Sequence, residues 1–191
     1  MVRKKVLALA GSPVKGGSTD ILLDNAIEGA INNGAKVEKV YLCDIKINPC
    51  DARGMCNKTG VCPIDDDMKR IYKKLLNSDV IILAAPIYFM GLPAQAKAMI
   101  DRCQSLWAER FRRGRKLGKE GRKGFFISVG GKAHPQLFKG AVATVKSFFK
   151  TLGVKYSGGL LLSKIDKKED LLARPAAMKA AFEAGRKLAG G

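Results

Sequence analysis

Residues 6–19 read Val-Leu-Ala-Leu-Ala-Gly-Ser-Pro-Val-Lys-Gly-Gly-Ser-Thr, and this stretch decides the fold. Its first five residues are small or branched and apolar, which is typical of a strand buried on both faces of a parallel sheet. From Ser18 onward the apolar residues follow helical spacing, with Ile21, Leu22 and Ala26 on one face. The stretch therefore predicts a strand, a glycine-rich turn and a helix in direct succession.

The turn between this strand and this helix has the composition of a phosphate-binding loop. Its glycines let successive backbone N–H groups point the same way, its hydroxyls add donors, and the helix contributes the positive end of its dipole. It matches neither G-x-x-x-x-G-K-[ST] nor G-x-G-x-x-G, so we expect a phosphate monoester bound without a metal ion. The simpler alternative is an ordinary turn with Ser18 as the helix N-cap. The candidate phosphate-binding residues are Ser12, Val14, Lys15, Gly17, Ser18 and Thr19.

Four more strand-like segments follow, and helical segments alternate with them. The predicted strands are residues 6–10, 36–42, 79–85, 124–129 and 154–162, and the predicted helices are residues 18–32, 65–77, 93–107, 136–152 and 167–189. This alternation predicts a single α/β domain over residues 1–191: a doubly wound, five-stranded parallel sheet in the order 2-1-3-4-5 with helices on both faces. Ligands of such sheets bind where the carboxyl ends of the strands meet.

Two other predicted loops lie at that same edge. Residues 86–93 hold large apolar side chains where polar ones would be expected, and residues 128–132 contain a Gly-Gly pair. An apolar loop beside a phosphate site suits a ligand with a charged tail and a flat ring, walled by Tyr88 and Phe89, with backbone N–H groups of residues 87–91 as donors. The simpler alternative is that both rings pack under the next helix. The candidate ring-binding residues are Pro86, Ile87, Tyr88, Phe89, Met90, Gly91, Ser128, Gly130 and Gly131.

The charge of the chain indicates its partners, and its apolar segments indicate its compartment. The formal net charge is +18, which attracts anions of any kind. The most basic stretch, residues 109–123, is expected to be a solvated loop, with docking of an acidic redox protein as the alternative. Phe111 is the only aromatic residue in this stretch, so base stacking has little support and nucleic acid is not an expected partner. No apolar run is long enough for a membrane span and no secretion signal is evident, so we expect a cytoplasmic protein.

Four separated motifs resemble the iron-sulfur flavoprotein branch of the NADPH-dependent FMN reductases. They are Gly-Ser-Pro-x-Lys-Gly-Gly-x-Thr from residue 11, Pro-Cys at residues 49–50, Lys-Thr-Gly-x-Cys-x-Ile-x-Asp-Asp-Met from residue 58 and Ala-Pro-Ile-Tyr-Phe from residue 85. The resemblance covers residues 6–101. It implies a flavodoxin-like fold, FMN held by the three loops, NAD(P)H as electron donor, and a homodimer or tetramer with flavins near the subunit interfaces.

The cysteines depart from the pattern of that branch, whose members carry a Cys-x2-Cys-x2-Cys run and a fourth cysteine. Four of the five cysteines lie in the insertion at residues 43–63, which points to metal or redox chemistry. Cys50, Cys56 and Cys62 match the first, third and fourth positions, but Arg53 stands at the second and cannot bind iron. A [4Fe-4S] cluster would need a further ligand, such as Cys43, Asp51 or an outside group. The alternatives are free thiols or a zinc-like site.

Three functional hypotheses follow from the sequence. The first is an FMN-dependent oxidoreductase of the NAD(P)H-dependent FMN or quinone reductase type. Hydride transfer of this kind needs no side-chain acid or base, so we name no catalytic residue. The second is an iron-sulfur flavoprotein that relays electrons from ferredoxin through a [4Fe-4S] cluster at Cys50, Cys56 and Cys62. The third is a non-catalytic flavodoxin-fold module that binds an acidic partner.

Overall fold

A computed structural model describes residues 3–190 and confirms the predicted architecture. Five strands form one sheet in the order β2-β1-β3-β4-β5, and every neighbouring pair is parallel. The strands are β1 (Lys5–Ala10), β2 (Lys36–Tyr41), β3 (Val80–Ala84), β4 (Lys123–Gly130) and β5 (Lys155–Ser163). The α-helices are α1 (Ser18–Asn32), α2 (Met55–Thr59), α3 (Met68–Asn77), α4 (Ala94–Arg102), α5 (Gln104–Trp107), α6 (Lys139–Leu152), α7 (Lys168–Leu172) and α8 (Pro175–Ala189). None of the helices between residues 3 and 190 has the length and apolar character to cross a membrane.

The central strands β1 and β3 are buried on both faces. In β1, Val6, Ala8 and Ala10 pack into a core that includes α1 and α8. Leu7 and Leu9, on the opposite face, pack into a core that includes α3, α4 and α6. Side chains of a strand point alternately to the two faces of a sheet, so a strand covered by helices on both faces carries an unbroken apolar run.

The helices α1 and α8 are in close contact because both carry glycine where they cross. A Cβ atom added to Gly29 would lie 1.9 Å from the carbonyl oxygen of Phe182, and one added to Gly185 would lie 1.8 Å from the carbonyl oxygen of Ala26. These distances leave no room for a side chain while the helices keep their separation. The C-terminal helix is therefore held directly against the helix that follows the candidate phosphate-binding loop.

The helices predicted from residues 65 and 136 begin three residues later, at Met68 and Lys139, and two other predicted helices are interrupted. The helix predicted over residues 93–107 is interrupted at Cys103, and a π-helical turn at Ala108–Arg112 follows α5. The helix predicted over residues 167–189 is divided into α7 and α8 before Pro175. Proline disfavours helical backbone in the preceding residue, and Arg174 has a ψ of 69°.

The basic stretch at residues 109–123 is only partly a solvated loop. It starts in the π-helical turn and contains Arg122, which is 2% exposed. The Arg122 guanidinium donates to the carbonyl oxygens of Ser78 at 2.8 Å and Leu152 at 3.0 Å, and also to that of Leu75. These carbonyls lie at the C-terminal ends of α3 and α6, so a buried cation satisfies both helix ends. Burial lowers the pKa of Arg122.

We predict that the Gly185→Ala variant is destabilised by about 3 kcal/mol, because the added methyl group must push α8 away from α1. Without this contact the same change would stabilise a helix by about 1 kcal/mol, so the sign of the effect tests the packing. Urea unfolding followed by circular dichroism measures it. The control is Ala180→Gly on the exposed face of α8, which should cost no more than about 1 kcal/mol. An unchanged or raised stability of Gly185→Ala would contradict the close approach.

Candidate functional site

The β1–α1 loop (residues 11–17) ends in a helix start that has unused backbone donors. Gly17 is the N-cap of α1, and no side chain caps this end. Ser18 is therefore the first helical residue, and the simpler alternative of Ser18 as N-cap is wrong. Among the described residues, nothing accepts a hydrogen bond from the backbone N–H of Ser18 or Thr19. A helix start with free N–H groups is suited to an anion.

The shape of this loop depends on Asp20, which sequence reasoning missed. Asp20 is 4% exposed, and its Oδ2 accepts hydrogen bonds from the backbone N–H of Gly16 at 2.7 Å and from the Tyr41 hydroxyl at 3.2 Å. Lys39 Nζ lies 2.7 Å from Asp20 Oδ1, so the carboxylate adds little net negative charge to the loop. The sequence signal that could have identified Asp20 is its position as an acidic residue in the first turn of a helix.

The other loop residues occupy distinct positions. Ser12 is buried and its Oγ accepts the Val14 N–H at 3.0 Å, which tightens the turn after β1. Thr19 is also buried, whereas Val14 is exposed. Lys15 Nζ lies 2.6 Å from Asp44 Oδ2, and the hydrogen bond to Asp44 raises the pKa of Lys15. Lys15 is thus a cation beside the loop, held toward the end of β2.

The β3–α4 loop (residues 85–93) carries a strained, exposed turn. Tyr88 and Gly91 exchange backbone hydrogen bonds of 3.0 and 2.9 Å, which leaves Phe89 and Met90 as the two residues of the turn. Their φ angles are 48° and 63°, a region that favours glycine and costs a larger residue about 1–3 kcal/mol. The Phe89 side chain is fully exposed, and Tyr88 is 46% exposed. The alternative that both rings pack under the next helix is therefore wrong.

Fewer backbone donors are available in this turn than the sequence predicts. The N–H of Ile87 donates to the Val129 carbonyl at 2.9 Å, and those of Tyr88 and Gly91 are used within the turn. Only Phe89 and Met90 keep unpaired N–H groups between residues 87 and 91. Tight closure of the turn is the reason, because it pairs the residues on either side of its tip.

Backbone hydrogen bonds join the three loops into one edge. Gly11 N–H donates to the Ala84 carbonyl at 2.7 Å, which connects the ends of β1 and β3. Ser128 does not face this edge: it is completely buried, and its Oγ donates to the Ala85 carbonyl at 2.7 Å. Beyond it, Gly130 is buried and Gly131 is exposed in the β4–α6 loop (residues 131–138). Residues 12–19, 86–91 and 130–131 thus come together from three adjacent strands.

The insertion at residues 43–63 is anchored by a buried ion pair that sequence reasoning also missed. Arg102 donates to Asp66 through two nitrogens at 2.6 and 3.1 Å, and both side chains are completely buried. Arg102 also donates to the Asn48 carbonyl, and Asp66 accepts the N–H groups of Asn48 and Met68. Burial alone would raise the pKa of Asp66, but the hydrogen bonds from Arg102 and the two N–H groups lower it. The pair connects both ends of the insertion to α4.

Three cysteines of the insertion line one cavity, but the set does not fit a [4Fe-4S] cluster. Cys50, Cys56 and Cys62 border a cavity of about 380 Å³ together with Arg53. Arg53 Nε donates to Asp51 at 2.7 Å, so the Asp51 carboxylate is already paired with the guanidinium. Between residues 3 and 190 no three cysteine, histidine or acidic side chains are placed to hold a metal ion. Four irons need four ligands, and this cavity offers three thiols beside two carboxylates that are already paired, Asp51 with Arg53 and Asp101 with Lys97.

The two remaining cysteines do not complete the set. Cys43 donates weakly to Asp44 Oδ1 at 3.8 Å, and Asp44 in turn pairs with Lys15 beside the β1–α1 loop. Cys103 is 2% exposed, and burial raises its pKa. A buried thiol with a raised pKa stays protonated and unreactive.

The sheet order and the loops at its carboxyl edge define a flavodoxin-like α/β protein. Residues 4–159 match the NADPH-dependent FMN reductase family, and the chain belongs to this family. An iron-sulfur flavoprotein of Methanocaldococcus jannaschii is 40% identical over 53% of this chain and 53% of its own length. An iron-sulfur flavoprotein of Methanosarcina thermophila is 37% identical over 66% of this chain and 63% of its own length. The chain therefore matches about half to two thirds of these relatives.

Other proteins are similar over the whole chain. A Bacillus subtilis protein named as an NAD(P)H-dependent FMN-containing oxidoreductase is 28% identical over 93% of this chain and 94% of its own. The structure of an NAD(P)H:quinone oxidoreductase from Methanothermobacter marburgensis has a TM-score of 0.76 at 17% identity, covering 100% of this chain and 99% of that one. At this identity the structural likeness shows the fold alone.

We predict that Arg102→Met lowers the free energy of unfolding by about 3–5 kcal/mol at pH 7, because it leaves the Asp66 carboxylate buried without its partner. The pKa of Asp66 in the folded protein is below its unfolded value of about 4. The stabilisation is therefore fully present above about pH 4 and is lost as the pH falls through the folded pKa. The difference between wild type and variant should therefore shrink below about pH 4. Denaturant unfolding at pH 7 and pH 3 measures both effects.

The matched control is Arg186→Met, which removes a half-exposed pair with Glu183. It should cost less than about 1 kcal/mol at either pH. Equal losses in the two variants would contradict a special role for the buried pair.

We predict that Arg53→Cys converts the cavity into a four-cysteine cluster site. After anaerobic incubation with iron and sulfide, this variant should bind about four irons per chain with the visible absorption of a [4Fe-4S] cluster. The wild type and the control Arg53→Ser should bind clearly less iron under the same conditions. A wild-type iron content equal to that of Arg53→Cys would show that the three thiols suffice.

Proposed function

We propose that this chain binds FMN at the carboxyl edge of its sheet and acts as an NAD(P)H-dependent oxidoreductase of the FMN or quinone reductase type. One observation carries the proposal: the helix start that follows β1 has unpartnered N–H groups, and the loop that follows the neighbouring strand β3 carries an exposed, strained aromatic turn. Membership of the NADPH-dependent FMN reductase family supports both ligands. The name of the Bacillus subtilis relative supports the same pair.

The β1–α1 loop is proposed to hold the phosphate of FMN. The free N–H groups of Ser18 and Thr19 supply donors, and the dipole of α1 supplies positive potential. Neutralisation of Asp20 by Lys39 removes a repulsive charge from beneath the loop. The proposed phosphate-binding residues are Ser12, Val14, Lys15, Gly17, Ser18 and Thr19.

The β3–α4 and β4–α6 loops are proposed to hold the ring system. An exposed aromatic turn offers apolar surface to a flat ring, and ring contact would compensate the strain at Phe89 and Met90. The two unpaired N–H groups of this turn are the donors available to ring heteroatoms. Ser128 contributes from below by fixing Ala85 at the start of the loop. The proposed ring-binding residues are Pro86, Ile87, Tyr88, Phe89, Met90, Gly91, Gly130 and Gly131, and the buried Ser128 supports them from beneath.

When bound, FMN supplies a two-electron carrier that accepts hydride from a reduced nicotinamide and passes electrons to a quinone or a second flavin. The chain supplies binding, orientation and electrostatics. N–H donors beside the ring favour added negative charge there. His134, the only histidine, is exposed and its Nδ1 accepts the Gln136 N–H, so we assign it no proton transfer.

We further infer a single-domain protein that works as a homodimer or tetramer in the cytoplasm. Exposed apolar side chains at the tip of the β3–α4 loop favour association between copies. Five free cysteines suit a reducing compartment. The exposed arginines of residues 109–115 suit an acidic redox protein such as ferredoxin as an electron partner.

The double variant Ser18→Ala, Thr19→Pro is expected to weaken FMN binding by about a hundredfold, because it removes two hydroxyls and one N–H donor facing the phosphate. Proline is tolerated in the first turn of a helix, so α1 should remain folded. Titration of the apoprotein with FMN, followed by flavin fluorescence, measures the affinity. The control is Ser157→Ala on β5, whose hydroxyl bonds only to the Lys155 carbonyl.

Steady-state oxidation of NADH and NADPH with a quinone or free FMN as acceptor tests the activity. The FMN-loaded wild type should turn over, and the double variant should recover activity only at higher FMN concentration. FMN binding without turnover of either nicotinamide would support a binding module instead. A wild type that does not bind FMN would refute the proposal.

A further inference from the structure

The edge of the sheet opposite the candidate FMN site carries a row of lysines. Four of the five strands begin with lysine: Lys36 in β2, Lys5 in β1, Lys123 in β4 and Lys155 in β5. Lys5 is the register partner of Lys36, and Lys123 is that of Lys155. Since neighbouring strands lie about 4.8 Å apart, the row extends over about 19 Å along this amino edge.

At one end of the row the lysines line a cleft. A cavity of about 260 Å³ lies between β1, β2 and the end of α3. Four lysines and one glutamate border it, so its lining carries a net charge of +3. The bordering residues are Lys5, Val6, Lys36, Glu38, Lys73, Lys74, Asn77 and Ser78. Nothing aromatic lines the cleft.

Little of this charge is neutralised within the described part of the chain. Glu38 pairs with Lys74, but Lys36 and Lys73 are exposed and form no ion pair among residues 3–190. Asp79, the next carboxylate along the edge, pairs with Lys119 at 2.8 Å. Like charges this close repel one another, and a bound anion would relieve the repulsion.

Capping of helix ends does not account for these lysines. Cations at an amino edge can satisfy the C-terminal carbonyls of the helices. Here Arg122 does so for α3 and α6, and Lys4 does so at the end of α8, where it donates to the Gly190 carbonyl at 2.7 Å. Lys36 and Lys73 make no hydrogen bond to any helix carbonyl of the described chain. Their charge is therefore available to a ligand.

We propose that this cleft binds a linear oligophosphate anion with three or more negative charges. Ammonium groups bind phosphate oxygens as point charges, and four lysines around one cleft match a chain of phosphates better than a single phosphate. The absence of aromatic side chains from the cleft lining disfavours stacking of nucleic-acid bases. Inorganic polyphosphate and the tail of a nucleoside triphosphate share this chemistry. The site is separate from the proposed FMN site and does not depend on it.

The test is calorimetric titration of the full chain, saturated with FMN, with inorganic triphosphate at low salt and without divalent cations. We expect one triphosphate per chain, with affinity that falls as salt is added. The double variant Lys36→Gln, Lys73→Gln should bind about tenfold more weakly. The matched control is Lys146→Gln, Lys179→Gln, which removes the same charge from α6 and α8 and should bind like the wild type. Thermal melting checks that both variants are folded.

Further titrations identify the source of the phosphates. ATP that binds as tightly as triphosphate supports recognition of the phosphate chain alone, and tighter ATP binding supports a nucleotide. Absence of triphosphate binding to the wild type would overturn the proposal. Equal weakening in both double variants would overturn it too, since binding would then follow total charge. A single-stranded oligonucleotide that binds far more tightly than triphosphate, through Lys36 and Lys73, would assign the edge to nucleic acid instead.

Discussion

The parallel pairing of β1 with β2 on one side and β3 on the other is the constraint on which the rest of the structure depends. It satisfies the backbone groups of β1 from both sides, and helices cover both of its faces. Such a strand can carry no charge along its length, and residues 6–10 carry none. Because all strands run the same way, their loops meet at one edge. The loops that hold Ser18 and Phe89 thereby follow adjacent strands, although these residues are far apart in sequence.

The strong positive charge of the chain serves more than one purpose. Arg102 and Arg122 are buried, and each satisfies carbonyl oxygens from several segments. An arginine can do this because its planar group presents five N–H donors at once. These two residues are structural, although in the sequence they are indistinguishable from their solvated neighbours. Lys36 and Lys73 of the amino-edge cleft are exposed and make no such contact within residues 3–190, so the charge used for folding differs from the charge that faces solvent.

Buried and charged side-chain contacts hold the cysteine-containing insertion in place. Arg102 and Asp66 fix its ends, and Arg113 donates to the Lys58 carbonyl at 2.7 Å, so the π-helical turn supports α2. Within residues 3–190 the three thiols of the cavity are not placed to hold a metal ion together, and Arg53 adds a cation to the same lining.

The sequence by itself determined the order of the elements, the parallel sheet and the loops at its carboxyl edge, because buried strands and amphipathic helices have distinct periods. It also placed Arg53, and not a cysteine, three residues after Cys50. Only the tertiary structure decided the role of Asp20, the Arg102–Asp66 pair, the burial of Ser128 and the exposure of Phe89. Each of these depends on contacts between segments far apart in sequence, and local periodicity carries no record of such contacts. The break before Pro175 has a local cause instead, because proline disfavours helical backbone in the residue that precedes it.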